Sequence, residues 1–305
     1  MGKLNVTAPA QKTADSLPHS TADTTAGDAG QDGPLPAVVL IGHGSLRSAS
    51  GAAMIRIAAR LRAEGIADQI EPAFLNFSRP TLADALQRCA ENGARHVHVQ
   101  PYFLIAGAYV QQDLPQLLET TLAKFPGLTA SLAPAFGYHP ALVDLAYTRL
   151  AAAAPELAQP ASTINTGTTN TGERGLLLMA HGTPIAAANA PLAHVLADLL
   201  RRTGIAHGRV AFLDCNTPDI PEGIAELAQA GVQRLITLPY FLHLGRHVRE
   251  DLPQLVAQAR TTWPQIEFRA AQHLDYDLRL VDVIRDRLDA IAEPSATLID
   301  DQGNR

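Results

Sequence analysis

Three side chains with metal-binding chemistry recur at a regular interval in the C-terminal half of the sequence. His181 lies 33 residues before Asp214, which in turn lies 33 residues before His247. Two imidazoles and a carboxylate are a suitable ligand set for a divalent first-row metal ion, with coordination positions left open. His243 precedes His247 by one helical turn and is a candidate fourth donor. The spacing therefore predicts a metal site.

An internal duplication supplies an equivalent position in the first half of the chain for each of these residues. A shift of 138 residues aligns the chain with itself without a gap. The matched segments include His43-Gly44 with His181-Gly182, Pro101–Leu104 with Pro239–Leu242, Asp113–Leu117 with Asp251–Leu255, and Leu142–Asp144 with Leu280–Asp282. Agreement on this scale indicates two copies of one structural module.

The first copy lacks most of the predicted metal site. Its equivalents of His181, Asp214 and His247 are His43, Asn76 and Tyr109. One imidazole is kept, the carboxylate is replaced by a neutral amide, and the second imidazole is replaced by a phenol. We therefore expect metal chemistry in the second copy only, with His43 as a residual contributor from the first.

Short apolar segments alternate with helical patterns in both copies. The predicted strands are Ala37–Ile41, Ile70–Leu75 and His96–Gln100 in the first copy, and Leu176–Ala180, Val210–Leu213 and Arg234–Leu238 in the second. The predicted helices are Ala52–Glu64, Thr81–Asn92 and Leu114–Lys124, and then Ala190–Thr203, Pro221–Ala230 and Leu252–Thr262. A last short strand and a closing helix complete each copy.

This alternation predicts an α/β fold of two tandem, doubly wound parallel-sheet domains with right-handed crossovers. Ligands of such sheets bind at the carboxyl ends of the strands. His181 follows the first strand of its copy, Asp214 the second, and His247 lies in the loop after the third. We therefore expect all three to project at the same rim.

The predicted domains are separated by polar segments. Residues 1–36 are predicted to be a disordered tail, 37–150 the N-terminal domain, 151–174 a linker, 175–292 the C-terminal domain and 293–305 a second tail. The first tail and the linker are rich in Thr, Ala, Gly and Pro, a composition that buries too little surface to order the chain.

Composition limits the function classes. A net charge of −6 and the lack of a basic stripe argue against nucleic-acid binding. Cys89 and Cys215 are single and far apart, which indicates neither a disulfide framework nor a zinc ribbon. The apolar runs are too short to cross a bilayer, and no nucleotide-binding P-loop occurs. We expect a cytoplasmic protein without a nucleotide cofactor.

Each candidate has a purely structural interpretation. A lone histidine in a loop is more often a hydrogen-bonding residue than a ligand, and His194 and His207 are interpreted in that way. Cys215, beside Asp214, is interpreted as a small buried hydrophobe rather than a soft ligand. Three potential ligands converging on one rim favour the functional interpretation for the second copy.

The combined motifs resemble those of the sirohydrochlorin chelatases of the CbiX/SirB type, which are related to the ATP-independent chelatases that include protoporphyrin ferrochelatase. The residues are the His-Gly-Thr turn after the first strand, Phe212-Leu213-Asp214, and the loop from Pro239 to Pro253. The resemblance covers both copies. It implies insertion of Co²⁺ or Fe²⁺, as substrate, into sirohydrochlorin during cobalamin or sirohaem biosynthesis.

The resemblance also implies residue roles. The two metal-handling histidines of the family fall on His181 and His247, and its acidic partner, usually Glu, falls on Asp214. Two-copy relatives of the SirB type commonly keep the working site in the first copy, whereas here it falls in the second. In the cleft between the lobes, Arg246 and Arg249 either clamp substrate carboxylates or form a solvated loop face.

Several alternatives stay open. A different tetrapyrrole or metal, such as coproporphyrin with Fe²⁺ or sirohydrochlorin with Ni²⁺, fits the same residues. A tetrapyrrole or metal carrier without turnover is the alternative from another class. The same ligands bind Co²⁺ and Fe²⁺, so the residues do not choose between them. A monomer is sufficient because the duplication already supplies two lobes.

Overall fold

A computed structural model describes residues 37–44, 51–157 and 173–292, all of which fall within one compact unit. The predicted tails and residues 158–172 of the predicted linker lie outside the described residues. No described helix combines the length and the apolar character needed to cross a membrane.

Each copy forms a four-stranded parallel sheet, as predicted. The strand orders are β2-β1-β3-β4 and β6-β5-β7-β8. The strands of the first sheet are β1 (Ala37–Gly42), β2 (Ile70–Phe74), β3 (His96–Pro101) and β4 (Thr129–Leu132). Those of the second are β5 (Arg174–Ala180), β6 (His207–Phe212), β7 (Arg234–Pro239) and β8 (Glu267–Ala270). The predicted fold class is confirmed.

Eight α-helices in the described residues cover the sheets. Those of the first copy are α1 (Ala52–Ala63), α2 (Leu82–Glu91), α3 (Leu114–Leu122) and α4 (Pro140–Ala153). Those of the second are α5 (Ala190–Thr203), α6 (Ile220–Gln229), α7 (Leu252–Thr262) and α8 (Arg279–Ala292). A π-helical turn precedes α3 and another precedes α7, at Tyr109–Asp113 and His247–Asp251.

Local sequence explains where these elements begin. The central strand β1 is buried at every position, because helices cover both faces of a parallel sheet. Helix α2 begins with a capping box of Thr81 and Asp84, and α6 begins with the equivalent pair, Asp219 and Glu222. In each, the two side chains satisfy backbone N–H groups that the first turn leaves without partners.

The closing helices are exchanged between the copies. Helix α4 of the first copy contacts β7 and α5 of the second, and α8 contacts β3 and α1 of the first. A repeated arginine secures each exchange. Arg149 of α4 donates to the carbonyl of Leu274, and Arg287 of α8 donates to the carbonyl of Phe136. The exchange is therefore reciprocal, as expected at an approximately two-fold interface.

One hydrophobic core consequently spans both copies. Leu145 of α4, Leu178 of β5 and Ile284 of α8 belong to a single buried cluster. Smaller separate clusters lie beneath α2 and α3 and beneath α6 and α7. Helix α4 continues past the predicted domain boundary at residue 150 to Ala153.

The start of the predicted linker is also fixed in place. Glu156 accepts two hydrogen bonds of 2.9 Å from Arg269 of the second sheet. This part of the chain is ordered because a charged pair ties it to β8, which composition alone did not indicate.

The shared core predicts cooperative unfolding of both copies. Replacement Leu145→Ala leaves a cavity where the side chain is fully buried, and we expect a loss of about 2–5 kcal/mol in unfolding free energy. Urea unfolding can be followed by circular dichroism and by the fluorescence of Trp263, the single tryptophan, which lies in the second copy. The unfolding midpoint should shift by the same amount with both probes. Leu278→Ala, at a side chain 51% exposed, is the control with little change. Two separate transitions would contradict the shared core.

Candidate functional site

Topology brings His181 and His247 together. In the order β6-β5-β7-β8, the chain reverses direction across the sheet between β5 and β7, and ligands of open parallel sheets bind at that point. His181 directly follows β5, and His247 lies in the segment after β7. Their ring centroids are 5.1 Å apart with an interplanar angle of 77°.

Hydrogen bonds fix which nitrogen of each ring faces outward. A carbonyl and a carboxylate can only accept, so the ring nitrogens that contact them are the donors. Nδ1–H of His181 donates to the Gly182 carbonyl at 3.2 Å, and Nδ1–H of His247 donates to Asp251 Oδ2 at 2.6 Å. Each neutral ring therefore carries its lone pair on Nε2.

The separation of the two rings matches that of two imidazoles on one metal ion. A tetrahedral ion about 2.1 Å from each Nε2 would place the two ring centroids about 5 Å apart, close to the separation observed. Within the described residues, no group of three His, Cys, Asp or Glu side chains lies close enough to hold a metal ion. His181 and His247 are thus a pair of neighbouring imidazoles, and their role as metal ligands stays a prediction.

Asp251 contacts a predicted site histidine, a contact that the sequence analysis did not predict. His247 was predicted to lie in a loop, but it begins the π-helical turn His247–Asp251. That turn places the carboxylate four residues on beneath the imidazole. A carboxylate on the second nitrogen fixes the orientation of a ligating histidine and increases its basicity. The His-x-x-x-Asp spacing was the available signal.

Asp214 lies two residues after β6, but its side chain is not among those that line the cleft. Its carboxylate accepts a hydrogen bond of 2.7 Å from the backbone N–H of Cys215. Its own N–H donates to the carbonyl of His181, which ties the two loops together. The prediction that Asp214 projects into the site together with the histidines is not reproduced by this conformation, and its role stays a prediction.

Cys215, the residue after Asp214, lines the cleft. The interpretation of Cys215 as a buried hydrophobe is wrong, because the residue is exposed and lines the cleft. Its backbone has a φ of 65°, and this turn directs the side chain after Asp214 into the cleft. Desolvation and, secondly, the charge of Asp214 raise the pKa of the thiol. The protonated thiol is a poor metal ligand.

His243 departs from its predicted arrangement. Residues 241–245 are not helical, so His243 and His247 are not separated by a helical turn. The His243 ring instead packs against Tyr102 of the first copy, with centroids 5.3 Å apart. The helical spacing that suggested His243 as a fourth donor is therefore absent.

Steric crowding explains why glycine follows His181. Gly182 has a φ of 89°, and a side chain there would overlap the carbonyl oxygen of Asp214. The side-chain carbonyl of Asn216 accepts hydrogen bonds from the backbone of Thr183 and the side chain of Asn189, at 2.8 and 3.0 Å. These contacts make the loop that carries His181 rigid.

The equivalent rim of the first copy also faces the cleft. The His43 ring meets Tyr109 edge to face, with centroids 4.6 Å apart, which reproduces the packing of His181 and His247. Nδ1–H of His43 donates to the Gly44 carbonyl at 2.9 Å. Of the two first-copy equivalents of the histidine pair, one is an imidazole and the other a phenol, as the sequence predicted.

A cleft of about 890 Å³ lies between the carboxyl ends of the two sheets, within the size range of small-molecule sites. His43, Tyr109, His181 and His247 all line it. Its floor carries two neutral phenols, Tyr102 and Tyr240, whose pKa values burial raises. Arg246 also lines the cleft and is 71% exposed, whereas Arg249 is exposed and lies outside the lining.

Comparisons with known proteins cover both copies of the module. The CbiX family model matches twice, at residues 37–153 and 175–291. A sirohydrochlorin cobaltochelatase of Priestia megaterium is 23% identical over 253 residues, covering 83% of this chain and 79% of the relative. A sirohydrochlorin ferrochelatase of the same organism is 22% identical over 239 residues, covering 77% of this chain and 80% of the relative.

A solved structure has the same fold. SirB from Bacillus subtilis with Fe³⁺ superposes with a TM-score of 0.70 at 18% sequence identity, covering 85% of this chain and 96% of that chain. The agreement spans both lobes of the molecule.

The contact between His247 and Asp251 predicts a loss of metal affinity in Asp251→Asn. The amide cannot accept Nδ1–H with the strength of a carboxylate, so we expect Co²⁺ affinity to fall about 10–100-fold, as measured by calorimetric titration. The matched control is Asp113→Asn, because the equivalent carboxylate of the first copy follows Tyr109 rather than a histidine. Equal losses in the two variants would refute the orienting role of Asp251.

Proposed function

Because this chain belongs to the CbiX family, we propose that it is a sirohydrochlorin chelatase, a lyase that inserts Co²⁺ or Fe²⁺ into the tetrapyrrole. The observation that carries the proposal is the pair of imidazoles, His181 and His247, whose Nε2 atoms are free of the hydrogen bonds that hold Nδ1. The pair lies in a cleft of suitable size for an organic ligand.

A two-ligand site suits a metal ion that is a substrate. An ion held by four side chains has no open position, whereas one held by two keeps several positions for water or for ring nitrogens. Ring nitrogens can then replace water before either histidine is released. Imidazole binds both Co²⁺ and Fe²⁺, so the same pair serves either ion.

The histidines also provide bases for the protons that the reaction releases. As each metal–nitrogen bond to a pyrrole forms, the N–H proton of that pyrrole must be accepted. An imidazole that gives up the metal regains its Nε2 lone pair and can take this proton to solvent. Asp214, at the same end of the second sheet, is the candidate for a relay to water.

Arg246 is our candidate for binding the carboxylates of the substrate. Its guanidinium lies 3.7 Å from Glu250 and from Asp251, at a distance where the ion pairs are loose. A substrate carboxylate can compete for this group with two parallel hydrogen bonds. Arg249 lies two residues beyond His247 and is the second candidate, reaching the substrate from outside the cleft.

An absorbance assay tests the proposed reaction. Purified protein, sirohydrochlorin and Co²⁺ or Fe²⁺ should show the spectral change of insertion well above the rate of the mixture without protein. If the protein binds the tetrapyrrole but metal is inserted no faster than in the spontaneous control, the chelatase proposal is wrong and the carrier alternative is favoured.

Histidine variants test where the reaction takes place. His181→Ala or His247→Ala should abolish insertion, because a single imidazole cannot hold the ion, whereas His43→Ala should only weaken it. His194→Ala is the matched control: His194 packs against Tyr138, with centroids 6.0 Å apart, and does not line the cleft. The opposite ranking of His43 and His181 would assign the reaction to the first copy.

A further inference from the structure

Two aromatic side chains stand exposed on the wall that the first copy contributes to the cleft. Phe77 is 66% exposed, more than any other large apolar side chain in the described residues, and Tyr109 is 44% exposed. Both line the cleft. An exposed aromatic pair within a cleft indicates a binding surface more than it indicates a contribution to the fold.

The backbone conformation at Phe77 is also unfavourable for a phenylalanine. Its φ is 59°, in the left-handed region, which is strained for a bulky side chain. The same turn in the second copy holds Cys215, with a φ of 65°. The turn therefore forms without an aromatic residue, and an exposed ring returns little burial energy. The fold does not account for phenylalanine at this position.

Phe77 and Tyr109 both lie near the His43 ring. The ring centroids are 6.1 Å apart for His43 and Phe77, and 4.6 Å apart for His43 and Tyr109. Three rings are thus grouped on one wall. At the positions of Phe77 and Tyr109, the second copy has Cys215 and His247.

Charge alone provides little to hold a large anionic ring in the cleft. Arg246 and Asp113 are the fully charged side chains that line it within the described part of the chain, and their charges are opposite. Most of the lining is apolar or aromatic. A flat macrocycle with charged groups at its edge matches such a surface, because its conjugated face is apolar while its edge can stay in water.

We propose that Phe77 and Tyr109 form an aromatic platform that binds the conjugated face of the tetrapyrrole. This inference rests on the proposed function and names the surface that holds its organic substrate. Aromatic faces attract one another in offset or edge-to-face geometry, beyond the gain from burial. The first copy then holds the ring while His181 and His247 of the second hold the metal.

Binding of metal-free sirohydrochlorin to the full chain, measured by fluorescence titration without any metal, tests the platform. Phe77→Ala and Tyr109→Ala should each raise Kd about threefold to tenfold, and Phe77→Tyr should keep the affinity of the parent. Calorimetric Co²⁺ binding should be unchanged in all three variants. Ile55→Ala, at an exposed position outside the cleft, is the control and should change neither quantity.

A stability measurement separates binding from a structural role. Phe77→Gly relieves the positive φ and removes an exposed ring, so its thermal unfolding temperature should equal or exceed that of the parent while Kd rises. A lower unfolding temperature would assign Phe77 to the fold and overturn the platform. Phe77→Leu binding as tightly as the parent would also overturn it, because apolar area without an aromatic face would then be sufficient.

The outcomes distinguish this proposal from the proposed function. If the parent inserts metal but the alanine variants bind sirohydrochlorin as tightly as the parent, the platform is wrong and the chelatase proposal stands. If the variants lose affinity but the parent inserts metal no faster than the spontaneous control, the platform stands and the chelatase proposal fails. A parent that does not bind the tetrapyrrole contradicts both.

Discussion

The exchange of α4 and α8 is the constraint on which the cleft depends. Each closing helix packs against the sheet of the other copy, and Arg149 and Arg287 donate across the junction to loop carbonyls. Both sheets therefore share one close-packed core. Because such a core is hardly compressible, one sheet cannot move without displacing the other. The carboxyl ends of β1 and β5 are held in a fixed relation, and a ligand between them meets two preformed walls.

Within this frame, the two copies preserve backbone geometry and differ in side chains. Gly44 and Gly182 have φ angles of 86° and 89°, and each leaves room for the backbone at the end of the neighbouring strand. The edge-to-face contact after the central strand also recurs, as His43 with Tyr109 and as His181 with His247. The duplicated backbone thus presents equivalent positions to one cleft, and the side chains at those positions decide what each wall binds.

The repeat, the parallel sheets and the proximity of His181 and His247 were predictable because they depend on local patterns and on strand order. The exchange of closing helices was not, since each helix has the same apolar pattern whichever sheet it covers. The prediction that the Asp214 side chain projects into the cleft was not reproduced, for a different reason. Strand ends fix where a residue lies, but the positive φ of Cys215 decides which side chain of that turn enters the cleft.

A protein that transfers a metal ion needs few ligands of its own. A resident metal is held most firmly by a complete ligand set, but an ion to be transferred must leave its site when the ring nitrogens arrive. In the proposed chelatase, two imidazoles, one of them held by Asp251, supply affinity without filling the coordination shell. In the proposed reaction, the wall without a metal pair holds the organic reactant against the ion, a division that the duplication provides.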